Sequence, residues 1–108
     1  MNSTEKGIID ISVVIPAYNE EKSIRKTLGL VFDYFRGRSY KFEVVVVNDG
    51  STDATGRLVS EVAGVYNNLR LINCDTNRGK GRAVYEGMTA SLGRLRLFMD
   101  ADGSTSIE

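Results

Sequence analysis

Four short apolar runs, each followed by a polar loop, constrain the fold of this chain more than any other feature of its sequence. The runs cover residues 8–15, 42–47, 69–72 and 95–99. In the first two, β-branched residues are largely continuous instead of alternating with polar ones, which is typical of strands buried on both faces. We expect Pro16 to end the first strand and Asn48-Asp49-Gly50 to end the second, because proline and turn-forming residues interrupt strands.

Helical patterns separate the four runs. Apolar residues recur with a period near 3.6 in three segments: Ile24, Leu28, Val31, Phe32 and Phe35; Ala54, Leu58, Val62 and Val65; and Val84, Met88 and Leu92. The predicted order is therefore βαβαβαβ. Strands that alternate with helices form a mainly parallel sheet covered by helices on both faces, so the expected fold class is α/β, a Rossmann-like three-layer sandwich.

Length and composition limit the domain organisation and exclude several functions. With 108 residues and 42% hydrophobic content, residues 1–108 are predicted to form one domain, in which the polar residues 1–6 are disordered. Lys plus Arg and Asp plus Glu number 14 each, so net charge favours neither nucleic acid nor an anionic membrane as a partner. The absence of His and the single Cys74 exclude His-based zinc sites and an internal disulfide. Because no apolar stretch approaches the roughly 20 residues of a membrane span, we expect a cytoplasmic protein.

Polar loops follow all four predicted strands, and the carboxyl ends of parallel strands meet at one edge of a sheet, where ligands bind. The loop after the fourth strand contains Asp100 and Asp102. Carboxylates two residues apart can share one Mg²⁺ or Mn²⁺ and leave positions open for phosphate oxygens. A merely solvated acidic turn is the alternative. An EF-hand calcium loop is excluded, because Gly103 and Glu108 do not stand at the positions that such a loop requires.

The loop after the third strand is basic and rich in glycine. Its cationic residues are Arg78, Lys80 and Arg82, and its glycines are Gly79 and Gly81. Backbone N–H groups and cations at the start of a helix suit a diphosphate. One alternative is a solvated basic turn. The other is a dinucleotide site, which is disfavoured because Val84 stands where a third small residue belongs.

Two residues at the same edge have competing interpretations. Asp49, at the tip of the second strand, can accept hydrogen bonds from a nucleobase or ribose. Alternatively, Asp49-Gly50-Ser51 begins a helix that Ser51 or Thr52 caps. Tyr18 can stack on a base, with Pro16 fixing the backbone before it, or can pack at the edge of the core.

The loops together resemble a known family. The segments VVIPAYNEE at 13–21, VVVNDGSTD at 45–53, NRGKG at 77–81 and MDADGS at 99–104 resemble the nucleotide-binding half of a family 2 glycosyltransferase of the GT-A fold. Within that family the sequence is most similar to the dolichyl-phosphate β-glucosyltransferases, and next to the dolichol-phosphate mannosyltransferases. Four motifs in order carry the resemblance over nearly the whole chain.

The resemblance implies a set of site residues. Those implied to bind the nucleotide sugar are Pro16, Ala17, Tyr18, Glu20, Val47, Asp49, Lys80, Asp100, Ala101 and Asp102. Asp100 and Asp102 are also implied to hold Mg²⁺ or Mn²⁺. Related mannosyltransferases carry Gln two residues after the second Asp, where this chain has Ser104, and the difference favours UDP-glucose over GDP-mannose as the donor.

The implied activity is inverting transfer of a sugar, with glucose favoured, from a nucleoside-diphosphate sugar to a polyprenyl or dolichyl phosphate. The alternatives are a nucleotide-binding module without catalysis and a dinucleotide-dependent oxidoreductase. Family members continue well beyond the MDADGS motif, so we interpret the chain as the donor-binding half, inactive alone, with no identifiable catalytic base. Residues 94–99 are then left as a sheet edge, which predicts a homodimer formed through that edge.

Overall fold

The computed structural model of the protein describes residues 8–102, in which strands and helices alternate. The elements are β1 (Ile9–Ala17), α1 (Ile24–Phe35), β2 (Phe42–Asp49), α2 (Thr55–Ala63), β3 (Leu69–Cys74), α3 (Lys80–Ala90) and β4 (Gly93–Phe98). The predicted βαβαβαβ order is confirmed. The disorder expected for residues 1–6 lies outside the described residues, as do Gly103 and Ser104.

The strands form one sheet in the order β3-β2-β1-β4, and each neighbouring pair is parallel. The chain steps outward from β1 to β2 and β3, and α3 then returns it to the other side of β1. The direction of winding therefore reverses between β1 and β4. In α/β sheets this reversal opens a crevice at the carboxyl ends of the two strands concerned.

Helices cover both faces of the sheet, which confirms the three-layer architecture. On one face, α1 and α2 pack against Val13, Ile15, Val44 and Val46. On the other face, α3 packs against Val14, Val45 and Val47 through Ala83. All seven of these valine and isoleucine side chains are completely buried, so the two central strands are buried on both faces as predicted.

Pro16 does not end the first strand, which is a correction to the sequence prediction. β1 continues to Ala17, and Pro16 is in register with Val47 of β2. The reason lies on the other side of β1, where the Met99 N–H donates to the Val14 carbonyl just after β4 ends. The nitrogen of Pro16 faces this side, beyond the end of β4. The ladder therefore needs no donor there, and proline is tolerated.

The buried face of α3 follows the prediction only in part, since Met88 packs against the core but Leu92 does not. The side chain of Leu92 is exposed and lies beyond the end of the helix, as Val65 does for α2. The buried positions of α3 are Ala83 and Gly87. A Cβ at Gly87 would overlap Val14 and come within 3.0 Å of the Val47 Cγ2 atom. Small residues thus let α3 approach the sheet closely.

A buried carboxylate lies at the amino end of the sheet. Glu43 is 3% exposed and accepts hydrogen bonds from the Ser12 hydroxyl (2.6 Å), the Leu92 N–H (2.7 Å) and the Arg70 guanidinium (2.9 Å). Arg70 also donates to the Ala90 carbonyl at 2.7 Å, at the end of α3. Burial raises the pKa of Glu43, but the hydrogen bonds from Ser12, Leu92 and Arg70 outweigh it and lower the pKa below its usual value.

Within residues 8–102, the structure has no helix that is both long enough and apolar enough to cross a membrane.

Candidate functional site

A cleft of about 350 Å³ lies at the carboxyl ends of β1, β2 and β4, beside the start of α3. It is lined by Pro16, Ala17, Tyr18, Glu20, Asp49, Asn77, Lys80, Ala83, Asp100, Ala101 and Asp102. These are all the predicted site residues except Val47, together with Asn77 and Ala83. Val47 is completely buried in β2 beneath α3 and is not part of the lining. The cleft coincides with the reversal of winding between β1 and β4.

The loop after β1 is fastened to the loop after β2. Asn19 has a left-handed backbone (φ 52°), its N–H donates to the Ser51 hydroxyl at 2.9 Å, and its side-chain oxygen accepts the Thr52 N–H at 2.8 Å. The Glu20 N–H donates to the Thr55 hydroxyl at 2.8 Å. The two loops therefore behave as one unit, and they hold Tyr18 at the cleft with 46% of its surface exposed.

Neither Ser51 nor Thr52 caps α2, contrary to one of the predicted alternatives. The helix begins at Thr55, and Asp53 accepts the Thr55 N–H at 2.9 Å and the Glu21 N–H at 3.2 Å. Burial raises the pKa of Asp53, whereas the hydrogen bonds from Thr55 and Glu21 lower it, and the net effect is a pKa below the usual value. Ser51 and Thr52 serve the junction between loops instead.

Asp49 organises the basic loop after β3. Its carboxylate is 3% exposed and accepts the Arg78 N–H at 3.0 Å, the Gly79 N–H at 2.9 Å and the Asn77 side-chain amide at 3.1 Å. A carboxylate has about four acceptor positions, so one remains for a ligand. A Cβ at Gly50 would overlap the backbone of Asn77, which shows how closely the two loops approach.

Asn77 is a site residue that the sequence analysis did not select. Its side chain donates both to the carboxylate and to the backbone carbonyl of Asp49. An asparagine that directly precedes a glycine-rich helix start is a signal for such a role, because its amide can bridge turns. The partner 28 residues earlier cannot be identified from local sequence.

The cationic residues of the basic loop do not share one position. Lys80 lines the main cleft, whereas Arg78 and Arg82 line a separate cleft of about 260 Å³ beside the end of β3. Cys74 lies in that second cleft, half-buried. Burial and the nearby carboxylate of Asp49 raise the pKa of its thiol, so the thiol is protonated at neutral pH.

The loop after β4 is anchored by its middle residue. Ala101 is 2% exposed, and its carbonyl accepts the Thr27 hydroxyl of α1 at 2.6 Å. The flanking Asp100 and Asp102 line the cleft, and Asp100 forms an ion pair with Lys80. The Lys80 ammonium also lies 5.7 Å from the ring centroid of Phe98.

The carboxylate pair is chemically suited to a divalent cation. Within the described residues there is no group of three or more His, Cys, Asp or Glu side chains that could hold a metal ion. Mg²⁺, however, is commonly held by one or two carboxylates, with substrate phosphates and water filling the remaining positions. Asp100 and Asp102 supply that donor set at an open cleft, so the residues fit such an ion.

The chain matches the family model described as "Glycosyl transferase family 2" over residues 12–108. It is 44% identical over 108 residues to the dolichyl-phosphate beta-glucosyltransferase ALG5D of Trichomonas vaginalis, covering 95% of this chain and 33% of the relative. It is 37% identical over 102 residues to the human dolichyl-phosphate beta-glucosyltransferase, covering 88% of this chain and 32% of the relative. The chain thus spans about a third of the length of these curated relatives.

Solved structures share the fold. The mannosyltransferase PcManGT of Pyrobaculum calidifontis, in complex with GDP-Man and Mn²⁺, superimposes with a TM-score of 0.77 at 30% identity, covering 88% of this chain and 28% of that one. TarS 1–349 of S. aureus in complex with UDP gives a TM-score of 0.76 at 32% identity, covering 87% of this chain and 28% of that one.

Proposed function

The chain belongs to glycosyl transferase family 2, and from that membership we propose that the cleft binds the nucleoside-diphosphate sugar of a transfer reaction. The observation that carries the proposal is the convergence of Tyr18, Lys80, Asp100 and Asp102 on one cleft at the reversal of winding. The chain is a partial nucleotide-sugar transferase domain related to the dolichyl-phosphate glucosyltransferases. We therefore favour UDP-glucose as the donor and place GDP-mannose second.

Each part of the donor has a matching part of the cleft. The exposed ring of Tyr18 offers a stacking surface for the base, and Pro16, Ala17 and Glu20 form the adjoining wall. Asp49 has one acceptor position left for the base or ribose. We leave Val47 out of the proposed binding set, because its side chain is completely buried.

Asp100 and Asp102 are the residues that would hold Mg²⁺ or Mn²⁺, and Ala101 between them lines the same cleft. The structurally similar PcManGT, solved with GDP-Man and Mn²⁺, supports this assignment. When bound, the ion neutralises charge on the diphosphate leaving group. Lys80, which lines the same cleft, adds a further positive charge there.

For the acceptor we propose a dolichyl or other polyprenyl phosphate, since the related glucosyltransferases are named for it. A phosphate oxygen is already anionic at neutral pH, so inverting attack on the anomeric carbon needs little help from a general base. Within the described residues we propose one cleft for the donor, and we identify no acceptor site or catalytic base there. We therefore expect no sugar transfer by the 108 residues alone.

The proposal is tested by calorimetric titration of UDP, with and without Mn²⁺, into the wild-type chain and into a variant carrying Asp100→Asn and Asp102→Asn. We expect Mn²⁺ to strengthen UDP binding in the wild type and to have no effect in the variant, because the two carboxylates repel a diphosphate unless a divalent cation lies between them. Asp33→Asn, on the exposed face of α1, is the control and should retain the effect of Mn²⁺.

Two results would contradict the proposal. The first is UDP binding that is equally strong in excess chelator, and the second is a response to Mn²⁺ that survives the double substitution. Parallel titrations of UDP-glucose and GDP-mannose rank the donors. Tight binding of NAD in place of UDP would instead support the dinucleotide hypothesis.

We further propose that the chain forms a two-fold homodimer through the edge of β4. β4 lies at one end of the strand order, and Leu95 is 57% exposed on it. Beside it, between β4 and α1, lies a groove of about 540 Å³ lined in part by Tyr34 and Phe35. An exposed apolar edge of this kind is a template for strand pairing. Sedimentation at micromolar concentration should show a dimer, and a monomer would contradict this.

A further inference from the structure

Lys80 is both the first residue of α3 and the ion-pair partner of Asp100. The ammonium is therefore bonded to one of the two carboxylates proposed to hold the metal. Both side chains line the same cleft, and they remain open to water, with the Lys80 side chain 56% and the Asp100 side chain 32% exposed. An exposed pair of this kind can exchange its partners readily.

We propose that Lys80 acts as an internal counter-ion that competes with the divalent cation for Asp100 until a diphosphate draws its ammonium away. This inference rests on the proposed function, because it assumes that Asp100 and Asp102 hold the ion. Its consequence is that the metal and the nucleoside diphosphate bind cooperatively. The metal alone binds weakly, and the nucleotide increases its affinity.

The competition between Lys80 and the metal ion is electrostatic. An ammonium at Asp100 cancels half of the charge that the carboxylate pair offers to a divalent cation, and it repels that cation. A diphosphate in the cleft gives the ammonium a second anionic partner, and the flexible four-carbon stem of lysine lets it change partners. An exposed ion pair is worth up to about fivefold in an equilibrium constant, which sets the size of the expected competition.

The experiment measures Mn²⁺ binding directly, from the electron paramagnetic resonance signal of free Mn²⁺, with and without UDP. Lys80→Met removes the ammonium and keeps the length of the side chain. We expect it to strengthen binding of Mn²⁺ alone by about two- to fivefold, because Asp100 loses its competing partner. We also expect UDP to enhance Mn²⁺ affinity less in this variant than in the wild type.

The matched control is Arg82→Met. It removes the same charge from the same helix, but Arg82 lines the neighbouring cleft and its nearest ionic partner is Glu86, at 3.8 Å. We expect wild-type affinity for Mn²⁺ alone in this control. Lys80→Arg, which keeps a positive charge at the site, should bind Mn²⁺ alone less tightly than Lys80→Met does.

The outcomes separate this inference from the proposed function. If the wild type binds Mn²⁺ but Lys80→Met leaves the affinity for Mn²⁺ alone unchanged or lower, the counter-ion role is wrong while the metal site stands. If Lys80→Met and Arg82→Met strengthen binding equally, the effect is one of net charge, and the specific pairing is refuted. If the wild type does not bind Mn²⁺ with or without UDP, the metal site is refuted, and the inference is refuted with it.

Discussion

Two carboxylate–cation pairs lie at opposite ends of the same sheet, and they differ in their surroundings. At the amino end, Glu43 pairs with Arg70, and the Glu43 side chain is 4% exposed. At the carboxyl end, Asp100 pairs with Lys80, and the Asp100 side chain is 32% exposed. Glu43 is also bonded by a hydroxyl and a backbone N–H, so its surroundings are complete within the protein. Asp100 faces a cleft.

The different exposure of the two pairs shows that one end of this sheet contributes to stability and the other end to binding. A buried carboxylate with a full set of donors is costly to disturb, because a buried donor that loses it stays without an acceptor. An exposed ion pair contributes little to stability and can be exchanged for a ligand. We therefore expect substitutions at the amino end of the sheet to change the free energy of unfolding, and substitutions at the carboxyl end to change ligand affinity.

The largest expected effect comes from Glu43→Ala. The substitution leaves the Ser12 hydroxyl and the Leu92 N–H without their acceptor and removes the anionic partner of Arg70, and we expect a loss of about 3 kcal/mol in the free energy of unfolding, measured by urea denaturation. The control is Glu61→Ala, which breaks two exposed ion pairs, one within α2 and one to Arg25 of α1, and should cost less than about 1 kcal/mol. Equal losses in the two variants would remove the distinction between buried and exposed pairs.

We expect an intermediate effect of Asp49→Ala, because Asp49 contributes both to the cleft and to the stability of the fold. It lines the cleft, yet it also holds the N–H groups of Arg78 and Gly79. We expect weaker UDP binding together with faster hydrogen exchange of these two amides, at a cost of about 1–2 kcal/mol in unfolding free energy. Asp75→Ala, an exposed neighbour, should change neither. Full protection of the amides in Asp49→Ala would show that the carboxylate serves binding alone.

The smallest effect that we expect is a decrease in the free energy of unfolding as the pH falls. Glu43 and Asp53 both have a pKa below the ordinary values of 4.5 and 3.8, so each is stabilising above its ordinary pKa, and the stabilisation is lost as the pH falls through the lower value of the folded state. Urea unfolding between about pH 6 and about pH 3 should show stability decreasing on acidification. Glu43→Gln should flatten this decrease. An unchanged slope would mean that Glu43 titrates normally.

The sequence was sufficient to predict the main layout of the fold. Continuous runs of β-branched residues identified the central strands, and the alternation with helices predicted the parallel sheet. Because parallel strands end at one edge, the grouping of Tyr18, Lys80 and Asp100 also followed from the sequence. Each of these inferences depends on the local periodicity of apolar residues or on the order of strands and helices, and both can be read from a single sequence.

Other features depend on partners that are distant in sequence. The buried face of α3 is formed by Ala83 and Gly87, and small residues give no hydrophobic signal. Glu43 resembles an interruption of a strand until its bonds to Ser12 and Leu92 are known. The place of Pro16 inside β1 depends on where β4 ends. None of these could be inferred from neighbouring residues.

The strand order has a consequence for how the protein is assembled. Each of the pairings β1–β2 and β2–β3 joins consecutive strands, whereas β1–β4 joins two strands that are far apart in sequence, with Ile9 opposite Gly93. Closing the longer loop costs more chain entropy, and during synthesis β4 emerges after the other three described strands. The newly made chain therefore presents β1 as an open edge until β4 arrives. Since β1 and β4 form two walls of the cleft, a ligand bound there stabilises the β1–β4 pairing, which forms after the other two pairings of the described sheet.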